Sequence, residues 1–331
     1  MQTVLTMLAA ILLVTLMPMH LLEAPEPVTK EHIGIIIEQP QTPHTEEVDA
    51  EADVQTVRLL DEGTVMELPL EEYLVGVVLA EMPASFELEA LKAQAVAART
   101  FTMRHIKKSK HQNADLCADS TCCQAWHSKE EMQKKLGSTW SNYWEKAQTA
   151  VKETAGEVLT YDGALIDAVY FSCSGGTTED AVAVWGSEIP YLQSVESEGE
   201  ENSRKFKSQV RIPCQTFKQI IEQENKQVSL KGRASKWIGK VTRSEGGGVL
   251  EWEIGGQSFK GTTLRQLFQL NSAKFDLSVQ KQEIVFDVYG AGHRVGMSQY
   301  GANAMAQAGK NYREILMHYY TDTEIEKIKT P

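Results

Sequence analysis

The sequence predicts an α+β fold in which a helical part carrying Glu81 packs with mixed or antiparallel sheet. Two stretches with helical spacing of apolar residues lie near the start of the folded region, one ending at Pro83 and the next spanning 87–107. Short apolar segments bounded by turn residues surround them and predict strands. A smaller α/β lobe is predicted at about 205–280, in the middle of the chain. With 331 residues, 42% of them hydrophobic, the chain is long enough for one large or two medium cores.

The first 22 residues are predicted to be a membrane anchor or a signal sequence. From Thr3 to Leu22 there is no acidic residue, lysine or arginine, and this length suits a single membrane-spanning helix. Pro18 and His20 stand where a small-residue cleavage site would be expected. We therefore favour an uncleaved anchor.

Residues 23–53 are predicted to form an acidic disordered tether. They hold nine acidic residues against Lys30, together with four prolines, and such a composition buries too little apolar surface to fold. The formal net charge of the whole chain is -12, so the rest of the protein carries only about four negative charges. This argues against a nucleic-acid-binding protein.

The folded region is predicted to run from 54 to about 325. Proline ends the helix that carries Glu81, and a run of glycines at 246–248 predicts a hairpin turn. Residues 198–209 are rich in charge and predict an exposed connection into the second lobe. Strands are expected at 57–60, 64–68, 164–172, 237–243, 249–254 and 284–289, and further helices at 139–151, 216–224, 263–270, 299–309 and 311–320.

Glu81 is the strongest candidate for a catalytic residue. Tyr73, Leu74, Val77 and Val78 form one apolar stripe, and Glu81 falls on the same helical face. Burial disfavours an ionised carboxylate, so the pKa of Glu81 should be raised and the group could act as a general acid. The alternative is a structural ion pair with Arg99 on the following, alanine-rich helix.

Residues 109–126 hold His111, Cys117, Cys122 and Cys123, the ligand types of a tetrahedral structural zinc. Their spacing differs from the usual pair of cysteines two residues apart. A disulfide from Cys117 to Cys122 or Cys123 is the alternative. Adjacent cysteines rarely both face one metal, so Cys122 is the weakest predicted ligand. A closed, thiolate-rich zinc would hold the loop and would not activate water.

Two loops rich in glycine and hydroxyl groups, 172–178 and 290–301, could let a sugar approach the backbone. Taken alone, the first is an ordinary turn, and His293 in the second is as well explained as a structural residue. Ser298 is predicted to cap the helix that follows it.

Several separated motifs together resemble the stage II sporulation protein D family over roughly residues 54–325. The motifs are Glu81-Met82-Pro83, the run from Lys92 to Thr100, Cys123-Gln124, Ser174-Gly175-Gly176 and Gly296-Met297-Ser298-Gln299-Tyr300-Gly301-Ala302. The resemblance implies a peptidoglycan lytic transglycosylase of forespore engulfment, in which Glu81 matches the catalytic glutamate. Some members of the family bind zinc through a cysteine and histidine cluster, and no cofactor is implied for catalysis. Where the family motif normally has glycine, this chain has Arg294.

The resemblance further implies cleavage of the β-1,4 bond between N-acetylmuramic acid and N-acetylglucosamine in peptide-stripped strands. The implied partners are the engulfment amidase, stage II sporulation protein P, and the membrane protein, stage II sporulation protein M. The implied location is the cell membrane, with the catalytic region outside the cytoplasm. Residues predicted to bind substrate are Arg99, Tyr170, Ser172, Ser174, Trp185, His293, Gln299 and Tyr300.

A single glutamate is sufficient for this chemistry. Hydrolytic glycosidases normally need two carboxylates. A lytic transglycosylase uses the C6 hydroxyl of the muramic acid, a nucleophile already attached to the reacting sugar. Two alternatives are a zinc-dependent wall amidase, which would need an open metal position, and a non-catalytic peptidoglycan-binding module.

Overall fold

The computed structural model describes residues 56–106 and 108–328, all of which fall in one compact unit, Gln39–Pro331. The predicted anchor (1–22) and tether (23–53) lie outside these residues. No helix within the described ranges is long and apolar enough to cross a membrane.

The predicted α+β fold is confirmed, beginning with a hairpin that leads into two packed helices. Strands β1 (Thr56–Asp61) and β2 (Thr64–Pro69) pair antiparallel, and β3 (Leu116–Cys117) joins β1 in parallel. Helix α1 (Leu70–Glu81) follows β2 directly, and α2 (Leu88–Ile106) packs against it. Every member of the predicted stripe on α1 is fully buried. The alanines of α2, also buried, let the neighbouring helices approach closely.

The buried residues of α1 and α2 belong to a first hydrophobic cluster, which also includes elements from the far end of the described chain. A three-stranded sheet combines β4 (Glu157–Tyr161), β5 (Ala164–Leu165) and the last strand of the described chain, Glu324–Lys327. Two further sheets are pairs of two-residue strands. After β3 the chain forms α3 (Lys129–Leu136), α4 (Trp140–Glu153), β4 (Glu157–Tyr161), β5 (Ala164–Leu165), β6 (Tyr170–Phe171), β7 (Gly176–Thr177), α5 (Ala181–Trp185) and β8 (Glu196–Ser197).

A second hydrophobic cluster is built from the middle of the chain. It centres on aromatic residues such as Phe217, Phe268 and Phe286, whose ring centroids lie 5.0–6.3 Å apart. Its elements are β9 (Lys207–Pro213), α6 (Cys214–Glu224), β10 (Ile238–Arg243), β11 (Val249–Ile254), β12 (Gln257–Lys260), α7 (Gly261–Leu267), β13 (Phe275–Gln280) and β14 (Glu283–Tyr289). They form two antiparallel sheets, ordered β10-β11-β12 and β13-β14-β9.

After β14 the chain returns to the first cluster through β15 (Met297–Ser298), α8 (Gln299–Gln307), α9 (Tyr312–Tyr319) and β16 (Glu324–Lys327). Strand β15 pairs in parallel with β6 and so brings the start of α8 beside Tyr170. As predicted, Ser298 caps α8, because its hydroxyl accepts a hydrogen bond from the Gly301 N–H.

Two predictions about the chain path are wrong. The single strand expected at 164–172 is two short strands, because β5 pairs with β4 whereas β6 pairs with β15. The connection at 198–209 is not exposed throughout. Glu200 is only 1% exposed, and β9 starts at Lys207 as a sheet partner of β14.

Candidate active site

Glu81 is the last residue of α1 and lies half-buried at the end of the apolar stripe. Its Oε1 accepts a hydrogen bond of 2.7 Å from the Ala125 backbone N–H. Burial raises the pKa of Glu81, and hydrogen bonds from Ala125 and the Gln299 side chain oppose this rise. The groups that act on this carboxyl are uncharged, so it has the environment of a carboxylic acid that can hold a proton.

Arg99 is neither a partner of Glu81 nor a substrate-binding residue, so both predictions for it are wrong. Its fully buried guanidinium binds Glu71 in the first turn of α1 with two hydrogen bonds of 2.7 and 3.0 Å. Its terminal nitrogens also donate to the Val151 and Glu157 carbonyls and to the Thr154 hydroxyl. Arg99 therefore ties α1 and α2 to the end of α4.

Uncharged polar side chains meet beside Glu81. The Tyr170 hydroxyl donates to Gln124 Oε1 over 2.7 Å. The Gln124 amide in turn donates to the Thr102 hydroxyl at 2.8 Å and the Tyr73 hydroxyl at 3.2 Å. Burial is the main reason that the pKa of both tyrosines is raised, and the charge of Glu81 adds to it. Both phenols are therefore neutral at physiological pH.

Gln299, at the start of α8, comes to the same place from the far end of the chain. Its amide donates to Gln94 Oε1 over 3.4 Å and acts on the pKa of Glu81. Gln94 is fully buried on α2, and its own amide nitrogen has no hydrogen-bond partner. Of the predicted substrate-binding residues, Tyr170 and Gln299 are thus the two that the structure brings to Glu81.

Ser172, which follows β6, and Tyr300, the second residue of α8, are half-buried. The Tyr300 N–H donates to the Ser172 carbonyl at 3.0 Å. The Tyr300 ring packs edge-on against Phe86, with ring centroids 5.0 Å apart. Ser172 and Tyr300 are therefore half-buried neighbours of Tyr170 and Gln299 in the chain.

His293 does not offer a ring nitrogen to a substrate, contrary to the prediction. Its Nε2–H donates to the Tyr170 carbonyl at 3.1 Å, and its Nδ1 accepts from the Val295 N–H at 3.1 Å. Burial lowers the pKa of His293 to about 4. The neutral ring lies between Phe171 and the half-buried Trp185, with centroids 5.6 and 5.5 Å away. It is a structural histidine that helps to fix Trp185.

Ser174 is also misassigned as a substrate-binding residue, because it is fully buried against Glu200. Its N–H and hydroxyl both donate to this carboxylate, at 2.7 and 3.0 Å. Ser197 and Ser298 donate to it as well, at 2.6 and 2.7 Å. Glu200 therefore joins the glycine-rich loop to the start of α8. The sequence shows Glu200 only as one acid in a charged run, so nothing in it marks this role.

Arg294 occupies the position where the resembled motif has glycine, and it keeps a backbone conformation that favours glycine, with φ 69°. Its guanidinium, 1% exposed, forms an ion pair of 2.9 Å with the buried Glu179. It also donates to the Ser174, Thr177 and Gly246 carbonyls at 2.7–2.8 Å. Arg294 thus adds a cationic contact that holds loop 174–177 and the turn after β10 together.

The four predicted metal ligands come together, with ligand atoms all within 4.8 Å of one another. His111 Nε2 lies 3.3 Å from Cys123 Sγ and 3.6 Å from Cys122 Sγ, and the two sulfurs are 4.0 Å apart. Zn–S and Zn–N bonds of about 2.3 and 2.0 Å in a tetrahedron separate ligand atoms by about 3.5–3.8 Å, so this set fits zinc. Cys122 lies with the other three ligands, and the part of the chain that the structure describes contains no disulfide.

The cluster and the acid site share one loop. Cys123 is followed at once by Gln124, which binds Tyr170, and by Ala125, which binds Glu81. Gly76 lets this loop lie directly on α1, since a Cβ there would clash with the Trp126 indole nitrogen and lie 2.6 Å from the His127 carbonyl. A glycine inside a helix costs about 1 kcal/mol relative to alanine. Gly76 in the middle of a predicted helix is therefore a sequence signal for close contact with another segment.

Gly76→Ala should therefore displace the loop and break the hydrogen bond from Ala125 to Glu81. Because that bond stabilises the carboxylate, its loss should raise the pKa of Glu81 further. NMR titration of the Glu81 carboxyl carbon would measure the pKa, and hydrogen exchange would show faster exchange at the Ala125 amide. Trp126→Phe is the matched control, since it keeps an aromatic ring in the loop that packs against α1 and should leave both measurements unchanged. An unchanged pKa in the Gly76→Ala protein would contradict this role.

Comparison with known proteins adds a family match to this geometry. A family model described as "Stage II sporulation protein" matches residues 61–161. Stage II sporulation protein D of Bacillus subtilis (strain 168) is 41% identical over 268 residues, which are 80% of this chain and 76% of that protein. The protein of the same name from Bacillus amyloliquefaciens is 40% identical over the same shares of the two chains. The "Amidase enhancer" of Bacillus subtilis (strain 168) is 30% identical over 76% of this chain, but over only 40% of its own length.

Proposed function

The chain belongs to the stage II sporulation protein D family, and from that premise we propose that it is a peptidoglycan lytic transglycosylase. Family membership itself supports a cell-wall role in sporulation. The observation that carries the finer proposal is the state of Glu81. It is a half-buried carboxyl group with a raised pKa, and no second carboxylate contributes to that shift.

An acid whose pKa shift owes nothing to a second carboxylate supports an intramolecular reaction over hydrolysis. Hydrolytic glycosidases place a second carboxylate about 5–10 Å away to activate water or to form a covalent intermediate. Here the groups around Glu81 are amides and phenols, namely Gln299, Gln94, Gln124, Tyr73 and Tyr170. They can orient a carboxyl group and a sugar, but none of them is a second carboxylate.

In the proposed reaction, protonated Glu81 gives its proton to the glycosidic oxygen as the bond to C1 of the muramic acid breaks. The C6 hydroxyl of the same sugar then attacks C1, and the Glu81 carboxylate accepts the hydroxyl proton. The Ala125 N–H stabilises that carboxylate between the two steps, while burial favours its return to the acid form. The products are an N-acetylglucosamine end and a 1,6-anhydro-N-acetylmuramic acid end, and Glu81 is regenerated.

Product analysis tests this proposal. Mass spectrometry of peptide-free glycan strands after incubation with the full chain should find ends that are lighter by one water than hydrolysis products. Reducing ends formed by water would instead indicate a hydrolase, release of stem peptides from intact wall would indicate an amidase, and intact strands with retained affinity would indicate a binding module.

We also propose that His111, Cys117, Cys122 and Cys123 hold a structural Zn²⁺. A zinc ion with four protein ligands would supply a rigid tetrahedral anchor for the loop, with no open position for catalysis. The chain's own contribution is to place Gln124 and Ala125, the two residues that follow Cys123.

Metal analysis of the purified full chain should therefore find about one zinc per molecule, and chelation should lower its thermal midpoint. Cys123→Ser should lose the metal, whereas Cys214→Ser, which changes a half-buried thiol outside the cluster, should retain it. A metal-free protein with an unchanged midpoint would contradict the zinc site.

We also propose membrane attachment through 1–22, on the strength of its uncharged, membrane-length sequence. The proposed location outside the cytoplasm rests on this anchor together with the family, and the two proposed engulfment partners rest on the family.

A further inference from the structure

Arg265 on α7 is a half-buried cation without an acidic partner. Its Nε donates to the Leu270 carbonyl at 3.3 Å, and in the described part of the chain its two terminal nitrogens have no hydrogen-bond acceptor. Neither nitrogen is among the polar atoms sealed from solvent. The buried Arg99 and Arg294, in contrast, are each paired with a glutamate. Burial without a counter-ion also lowers the pKa of Arg265.

Backbone contacts place Arg265 beside the loop that contains His293. Asn271 follows Leu270, and its carbonyl accepts a hydrogen bond of 2.9 Å from the Gly292 N–H. The charge of Arg265 accordingly contributes to the lowered pKa of His293. The guanidinium therefore lies near the surface formed by the His293 and Trp185 rings.

Tyr170 connects this surface to the acid site. Its carbonyl holds His293, while its side chain binds Gln124 next to Glu81. Tyr170 therefore contacts both groups, and we infer that a sugar strand bound at Glu81 extends past Tyr170 towards Trp185 and Arg265. An indole suits the apolar face of a sugar, and a guanidinium with two free nitrogens suits a carboxylate bound through two parallel hydrogen bonds.

We propose that Arg265 is a specificity-determining residue that binds the free lactyl carboxylate of a peptide-free muramic acid. This rests on the proposed function, because it takes the substrate to be a muramic-acid-containing strand. Each muramic acid carries a carboxyl group on its lactyl ether, which is ionised when the stem peptide is absent and becomes a neutral amide when the peptide is attached. A cation without a protein partner discriminates between these two states through charge and through hydrogen-bond geometry.

Binding measurements on the full chain test the proposal separately from cleavage. All variants carry Glu81→Gln, so that strands are not cut, and isothermal titration calorimetry measures their affinity. The three ligands are peptide-free strands, the same strands with the carboxylates capped as methylamides, and strands that retain their stem peptides. The free-acid strands should bind roughly 10–100-fold more tightly than the capped strands, a difference of about 1.4–2.8 kcal/mol in binding free energy.

Arg265→Gln should remove this preference by weakening the binding of the free-acid strands alone. Arg265→Lys keeps the charge without the planar fork and should retain part of the preference. Arg243→Gln is the matched control, because Arg243 is already paired with Asp276 and should not affect the preference. Circular dichroism confirms that each variant is folded.

An unchanged preference in Arg265→Gln overturns the proposal. Weaker binding of peptide-bearing strands alone would also overturn it, because the carboxylate recognised would then belong to the stem peptide. If the parent protein yields water-formed ends or no ends, the proposed reaction fails, yet loss of the preference in Arg265→Gln would still establish the carboxylate contact.

Discussion

Glu81→Gln should lower the rate of glycan cleavage by about 10²–10⁴-fold, the range expected for loss of a general acid–base group. Glutamine keeps the size of the side chain and can still accept the hydrogen bond from Ala125. It cannot deliver a proton to the glycosidic oxygen or accept one from the C6 hydroxyl. We therefore expect cleavage to be lost while thermal stability and strand binding are retained, as measured by mass spectrometry of anhydro ends and by calorimetry.

Glu72→Gln provides the matched control, because it makes the same chemical change at an exposed position of the same helix. It should leave the cleavage rate within about twofold of the starting protein, as is usual for surface substitutions. Comparable anhydro products from the Glu81→Gln and Glu72→Gln proteins would mean that another residue supplies the proton.

Arg294→Met should reduce the free energy of unfolding by about 3–5 kcal/mol, the usual cost of breaking a buried ion pair by removing one partner. The Glu179 carboxylate would remain buried without a cation, and one of its oxygens already has no hydrogen-bond partner. The carbonyls of Ser174, Thr177 and Gly246 would lose their donors as well. Urea denaturation followed by tryptophan fluorescence measures the effect.

Arg243→Met serves as the control for this second prediction. Its ion pair with Asp276 is largely solvated, with side chains 30% and 62% exposed, so that pair contributes at most about 1 kcal/mol. Because Arg243 also donates to the Gly247 and Phe275 carbonyls, the total loss should exceed this value but stay below that of Arg294→Met. The double variant Glu179→Gln/Arg294→Met should recover part of the stability, since it removes the uncompensated charge. Equal losses at Arg294 and Arg243 would show that the buried pair has no special role in stability.

Local patterns in the sequence were enough to place the acid. The stripe from Tyr73 to Val78 and the proline after Glu81 define a buried helix with a carboxyl group at its end. The alanine-rich run indicates that the next helix packs closely, and the structure confirms this arrangement. The ligand types of His111 and the three cysteines likewise predict a cluster, and the structure places their ligand atoms within 4.8 Å of one another. In both cases the informative residues lie close together in the chain.

The polar residues that contact Glu81 could be identified only from the tertiary structure, because several other candidates bind different partners. Arg99 is used by Glu71, Ser174 by Glu200, and His293 by two backbone groups, because a buried polar atom must find a partner wherever the fold supplies one. Gln299 and Ala125 reach the acid from positions 218 and 44 residues away in sequence. Local sequence patterns thus predict the buried acid, the helices around it and the cluster of His111 with the three cysteines. The contacts that tune them depend on pairings between distant segments, which no local periodicity encodes.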